Sequence, residues 1–118
     1  MADYGDLLAK AGALGEALAA HPTVRDYHAA QKAARDDRTA QELVTTYQTQ
    51  LGRIRTLEAS GKPIEVADKQ KLKTIEQQMS GSDVLKRLMR AQADYIDLMN
   101  RVNQAMDAPL AALATPES

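Results

Sequence analysis

Cysteine, tryptophan and phenylalanine are all absent from this 118-residue chain. Without cysteine there are no disulfides, no thiolate metal sites and no cysteine nucleophile. That usage fits a reducing compartment, and a cytoplasmic location is the expectation. Large aromatic rings dominate ordinary core energetics, and only four tyrosines are present, so a compact, thick core is hard to build. No apolar run approaches the roughly 20 residues that a membrane-spanning helix requires. The opening "MADYGDLLAKAGALGEALAA" lacks a basic segment ahead of a long apolar one, so no secretory signal is expected. A basic excess is missing too: the formal charge is −1, which argues against a dedicated nucleic-acid binder.

What is present is alanine, leucine, methionine and valine at helical spacing, the composition of long, thin helices rather than of a bulky globule. Breaks divide the chain. Pro22 suits the first position of a helix, where no N–H donor is needed. Asp37 is a helix N-cap ahead of "AQEL", and Ser82 is another, with Asp83 well placed against the helix dipole. "ASGKPIE" combines Ser60, Gly61 and Pro63 and is the strongest break. "MDAPLAALATPES" ends in a Pro/Ser tail that frays.

Between the breaks, Leu7, Ala11, Leu14 and Leu18 mark one helical stripe, and Val24, Tyr27 and Ala34 a second. Residues 38–59 carry a third, with Val44, Tyr47, Leu51 and Ile54 along it; Leu72, Ile75 and Met79 mark a shorter fourth. The last helix is the clearest. Leu85, Leu88, Gln92, Tyr95, Met99, Val102 and Met106 step by alternating threes and fours, as in a coiled-coil seam. Its expected length is about 25 residues, near 40 Å. Val84, Ala91, Leu98 and Ala105 flank that seam on one side, and Met89 and Ile96 on the other. A face so wide serves more than one partner helix.

The expected fold is therefore all-α: a long antiparallel helical hairpin with shorter N-terminal helices alongside, assembled into an oligomeric bundle. One domain spans residues 1–113, and residues 114–118 form a flexible tail. The oligomer interface is expected on Val44, Tyr47, Leu51 and Ile54 of the third helix. On the last helix it is expected on Leu85, Leu88, Tyr95, Met99, Val102 and Met106.

Residues that carry chemistry are few. His21 and His28 lie seven apart, about 10 Å along a helix, too far to share one ion at about 2 Å. His21 reads as a cap and His28 as a surface residue. Asp36 and Asp37 are adjacent, and neighbours in a helix do not face each other; capping and solvent account for them. Lys69, Lys71 and Lys73, with Lys86, Arg87 and Arg90, form basic faces that no aromatic residues interleave as a base-stacking surface requires. Gly12 and Gly15 weaken the first helix by about 1 kcal/mol each, which suggests close packing against a neighbour. No phosphate-cradling loop or nucleophile elbow appears. No enzyme, cofactor or metal site is expected.

In order along the chain, "HPTVRDYHAAQKA", "DDRTAQELVTTYQTQLGRIRTLEASGKPI" and "LMRAQADYIDLMNRVNQAMDAPLAAL" resemble the YlbF/YmcA/YheA family of small bacterial helical proteins. Asp37, Ala40, Gln41, Glu42 and Leu43 follow its recurring pattern, with Tyr47, Gln48 and Gly61 in place. Asn103, Pro109 and Leu110 look most like the YheA branch. The resemblance implies an all-helical, often dimeric protein without catalytic activity. It also implies an adaptor working through protein–protein contacts, in developmental control or RNase Y-dependent RNA processing. Iron–sulfur clusters held by cysteines in that group are not expected in a chain without cysteine. The alternative is an RNA-binding module using the lysine and arginine faces.

Overall fold

The computed structural model describes residues 3–114. They form five helices: α1 (Gly5–Ala20), α2 (Pro22–Asp36), α3 (Arg38–Ala59), α4 (Val66–Ser80) and α5 (Asp83–Ala114). The all-α class is as expected from the sequence. The residues proposed as a tail from 115 onward lie outside the described ones. No helix among the described residues is long and apolar enough to cross a membrane.

Each break has a local cause. Pro22 opens α2, and the His21 ring accepts the Thr23 N–H through Nδ1 at 3.1 Å. Asp37 alone separates α2 from α3, and its Oδ1 accepts the Ala40 N–H at 2.9 Å. Gln41 reaches back to donate to the Ala34 carbonyl at 2.9 Å. One residue thus starts a helix while another ends the helix before it. The run from Asp37 to Leu43 is a helix junction first of all. Ser82 caps α5 by accepting the Leu85 N–H at 3.3 Å.

After α3 the Lys62 N–H bonds the Leu57 carbonyl at 2.9 Å, and the Gly61 N–H bonds that of Glu58 at 3.1 Å. This is the Schellman arrangement, which places a left-handed residue just past the helix. Gly61 fills that position with φ 71°. A side chain there would be strained, because Cβ crowds the carbonyl in the left-handed region.

Backbone contacts divide the chain into two units, Ala30–Met89 and the remainder on either side of it. In the unit Ala30–Met89, α3 and α4 pack as an antiparallel hairpin. Gln50 and Arg53 meet Asp68 near the turn, while Tyr47 lies by Glu76 and Met79 further along. Its buried apolar residues are Ala30, Ala34, Ala40, Ile75 and Leu85. In the other unit Val24 and Ala91 are buried. There the Tyr27 and Tyr95 rings stack with centroids 4.6 Å apart and planes at 28°. Alanine predominates throughout, as the composition implied.

The reading of α5 needs one correction. The helix is not about 25 residues long but 32, and it runs through Pro109 to Ala114. A proline inside a helix costs about 3 kcal/mol, by losing its own N–H bond and crowding the carbonyl four residues back. Here that carbonyl belongs to Ala105, on a stretch exposed from Asn103 onward, where water meets the freed oxygen. Alanine and leucine on both sides are the strongest helix formers, and they carry the helix on.

Candidate interaction faces

The residues that raised chemical questions hold structural positions. His21 caps α2, as read from the sequence, and His28 is exposed on the helix surface. Asp37 is a cap and Asp36 closes α2, with Lys32 at 4.0 Å across an exposed turn. Among the described residues no three of His, Asp or Glu converge on a point where an ion would sit.

A polar cluster that the sequence did not reveal lies inside the α3–α4 hairpin. Asp68, in the first turn of α4, has its side chain almost wholly covered and meets Arg53 Nε at 2.9 Å. Buried Gln50 donates to the Asp68 carbonyl oxygen at 2.9 Å. The Arg53 hydrogen bond holds the Asp68 carboxyl below the usual carboxylate range, with the opposing push of burial outweighed. The second carboxylate oxygen, Oδ2, is buried and finds no donor among the described residues. This arrangement pins one helix to another and leaves no titrating proton near neutrality.

A pH effect follows from its sign. A carboxyl whose folded pKa lies below its unfolded value of about 3.9 stabilises the fold above that pH. The contribution disappears as pH falls through the folded value. Urea unfolding of the native chain should therefore show a midpoint that drops below about pH 4. Asp68→Asn should flatten part of that drop, and an unchanged acid slope would deny the pair its role.

The expected oligomer-interface residues divide. Leu85 is buried, and Tyr95 is half-buried in its stack with Tyr27. Val44, Leu51, Ile54, Leu88, Met99 and Val102 are also half-buried. Tyr47 lines an open groove of about 450 Å³ with Glu76, Met79 and Met89. Met106 alone of the set is exposed, at 52%.

The surface that stands bare is elsewhere. In α1 not one residue is buried; Leu7 and Leu8 are each 65% exposed and Leu14 37%, and Tyr4, just ahead of the helix, faces solvent too. Nothing lies within 4 Å of where a Cβ would stand on Gly12 or Gly15. The expectation that these glycines admit a close neighbour is thus not met within the chain, where Leu18 alone of α1 is half-buried. On α5 the exposed large apolar residues are Met89, Ile96, Met106, Leu110 and Leu113. Met89 and Ile96 lie on the expected flank of the seam. Leu110 and Leu113 continue the spacing from Met106 by four and three, beyond the expected length of about 25 residues.

Charge is unevenly distributed. Acidic residues outnumber basic ones in the unit holding α1 and most of α5, and the reverse holds for Ala30–Met89. Lys69, Lys71, Lys73, Lys86, Arg87 and Arg90 are all exposed. The ion pairs Lys10–Asp6, Arg38–Glu42 and Arg101–Asp97 are exposed four-residue helix pairs, worth only tenths of a kcal/mol.

Among solved structures, the chain is similar to RicA of Bacillus subtilis, crystallised in complex with RicF. The TM-score is 0.80 at 16% identity, covering 96% of this chain and 100% of the other. At that identity the likeness establishes the fold. No curated protein matches the chain. The family model described as "Control of competence regulator ComK, YlbF/YmcA" matches residues 7–111. That match reaches into all five helices, from Leu7 in α1 to Ala111 in α5, and the chain belongs to the YlbF/YmcA family.

Proposed function

We propose that the protein is a non-enzymatic, cytoplasmic adaptor that acts by protein–protein contact in a regulatory assembly. The process is RNA processing or developmental control. The observation that carries this reading is α1, a 16-residue helix rich in alanine and leucine with no buried residue. Isolated helices of that length are marginal in water, and two glycines weaken this one further. Apolar residues three, four and seven apart on an open helix are the anchor pattern by which one helix docks on another protein. Two further supports are the structure of RicA in complex with RicF, which shares this fold, and the family's description by control of a competence regulator. The chemistry-bearing side chains support a non-enzymatic reading, since His21 serves a helix cap and Asp68 serves a helix clamp.

The exposed lysines of α4 favour a second reading, direct RNA binding through Lys69, Lys71 and Lys73 together with Lys86, Arg87 and Arg90. That reading demands steeply salt-dependent binding. One experiment separates the two: capture of the tagged full chain from its own cells with and without nuclease, beside a Leu7→Glu/Leu14→Glu variant. The adaptor reading expects a protein partner that survives nuclease and is lost from the variant, with the helical circular dichroism of α2–α5 retained. Partners that vanish with nuclease and persist on the variant would give the function to the basic faces instead.

A further inference from the structure

Within the unit Ala30–Met89, a groove runs between α3, α4 and the first turns of α5. Its volume is about 450 Å³, with Tyr47, Met79 and Met89 as the apolar lining and Glu76 and Ser80 as the polar one. Met89 is 63% exposed, while Tyr47 and Met79 are half-buried. The apolar floor continues beyond these residues. Leu51 and Ile54 follow Tyr47 by four and three along α3, Leu72 stands seven before Met79 on α4, and all of them are half-buried. The antiparallel register that brings Tyr47 to Met79 also brings Ile54 to Leu72.

Charge marks one bank of the groove. Lys69, Lys73, Glu76 and Ser80 step by four, three and four, which sets them on one row of α4. Glu76 and Ser80 line the groove, so the two lysines stand along its continuation. The three charged residues are exposed, and none of them joins an ion pair among the described residues. Elsewhere on the helices, charges such as Lys10 and Asp6 or Arg101 and Asp97 are already paired. An uncommitted charge beside an apolar groove gains a partner when something docks, and the water expelled on docking strengthens that attraction.

We propose that the groove receives an amphipathic helix of a partner protein, one that carries an acidic and a basic residue a turn apart beside its apolar anchors. The floor takes the anchors, spaced by three, four and seven as in other helix-in-groove contacts. Methionine suits such a floor, because its unbranched side chain repacks around anchors of different shape. The partner's acidic residue meets Lys73 and its basic one meets Glu76, about 4.5 Å further along the axis of α4. A like charge at either place costs binding, so the pattern selects both the helix and its direction. From Lys69 to Ser80 the bank is about 16 Å long, which matches an occupant of about three turns. A nucleic-acid backbone would meet the Glu76 carboxylate and an apolar wall instead.

The inference rests on the adaptor reading for the existence of such a partner and adds its chemistry, but its test does not use α1. Two alanine-based helical peptides are made with leucines spaced by three and four and with one glutamate and one arginine a turn apart. They differ only in the order of those two charges. Each is titrated into the full chain labelled with carbon-13 at its methionine methyls. The Met79 and Met89 signals should shift, and those of Met99 and Met106 should not. One order should bind at least about tenfold more tightly than the other, and Lys73→Glu/Glu76→Lys should invert that preference. Both residues are exposed and the net charge is conserved, so the variant keeps its fold, which circular dichroism checks. No binding, equal affinity for the two orders, or a preference that the reversal leaves in place overturns the proposal. Met79 and Met89 signals that move when the chain alone is concentrated overturn it too, since a second copy then fills the groove. The Leu7→Glu/Leu14→Glu variant should bind the peptides as the native chain does, so failure of the α1 contact and failure of the groove are separate results.

Discussion

Ile75→Ala should lower the stability of the chain by about 2–5 kcal/mol, the usual range for truncating a buried aliphatic side chain. Ile75 is 4% exposed, and the other buried apolar residues of its unit are four in number, three of them alanines. A core so poor in bulk has little with which to refill the space left behind, and the cost of truncation rises with the cavity that remains. Chemical unfolding should show it as a large fall in the midpoint. Leu14→Ala is the control: Leu14 sits on uncovered α1, and surface truncations usually stay within about 0.5 kcal/mol. Equal losses at the two positions would mean that the core is not where the burial places it.

Ala30→Leu should destabilise by about 1–3 kcal/mol through overpacking, whereas Ala29→Leu, next to it on α2, should be close to neutral. Ala30 is completely enclosed and Ala29 is exposed. Leucine and alanine are both strong helix formers, so helix propensity nearly cancels and the comparison isolates packing. Alanine is therefore the residue that sets how closely the helices approach, and a longer side chain there must push a neighbour away. If Ala30→Leu melts like Ala29→Leu, the interior has slack that the structure does not show.

These two substitutions also mark how far the sequence could be read. Helix ends were legible because capping is local. Asp37, Ser82 and Pro22 act on groups within three residues, and Gly61 answers a conformational demand at one position. The alanine-rich core was legible from composition, since nothing else was present in quantity. The Asp68–Arg53 clamp was not, because the two lie 15 residues apart and meet only once α3 and α4 have packed. Nor were the exposed apolar residues of α5. The sequence shows which residues are apolar at helical spacing, but the chain covers only part of so wide a stripe. Which edge it covers is settled by the Tyr27–Tyr95 stack. Pro109 hid the remainder, since the flanking alanines and leucines carry a helix across a residue that more often ends one.

The bare helix α1 has a thermodynamic corollary. A helix with no fully buried residue and only Leu18 half-covered owes most of its order to its own backbone hydrogen bonds, which scarcely repay the entropy of fixing each residue. On the adaptor reading, a partner that docks on Leu7, Leu8 and Leu14 would supply the missing term. Part of the binding free energy is spent on ordering the segment, so the complex is weaker than its contact area would suggest and released more readily. On that reading, affinity would be tuned through helix propensity at Gly12 and Gly15, positions where each glycine costs the helix about 1 kcal/mol.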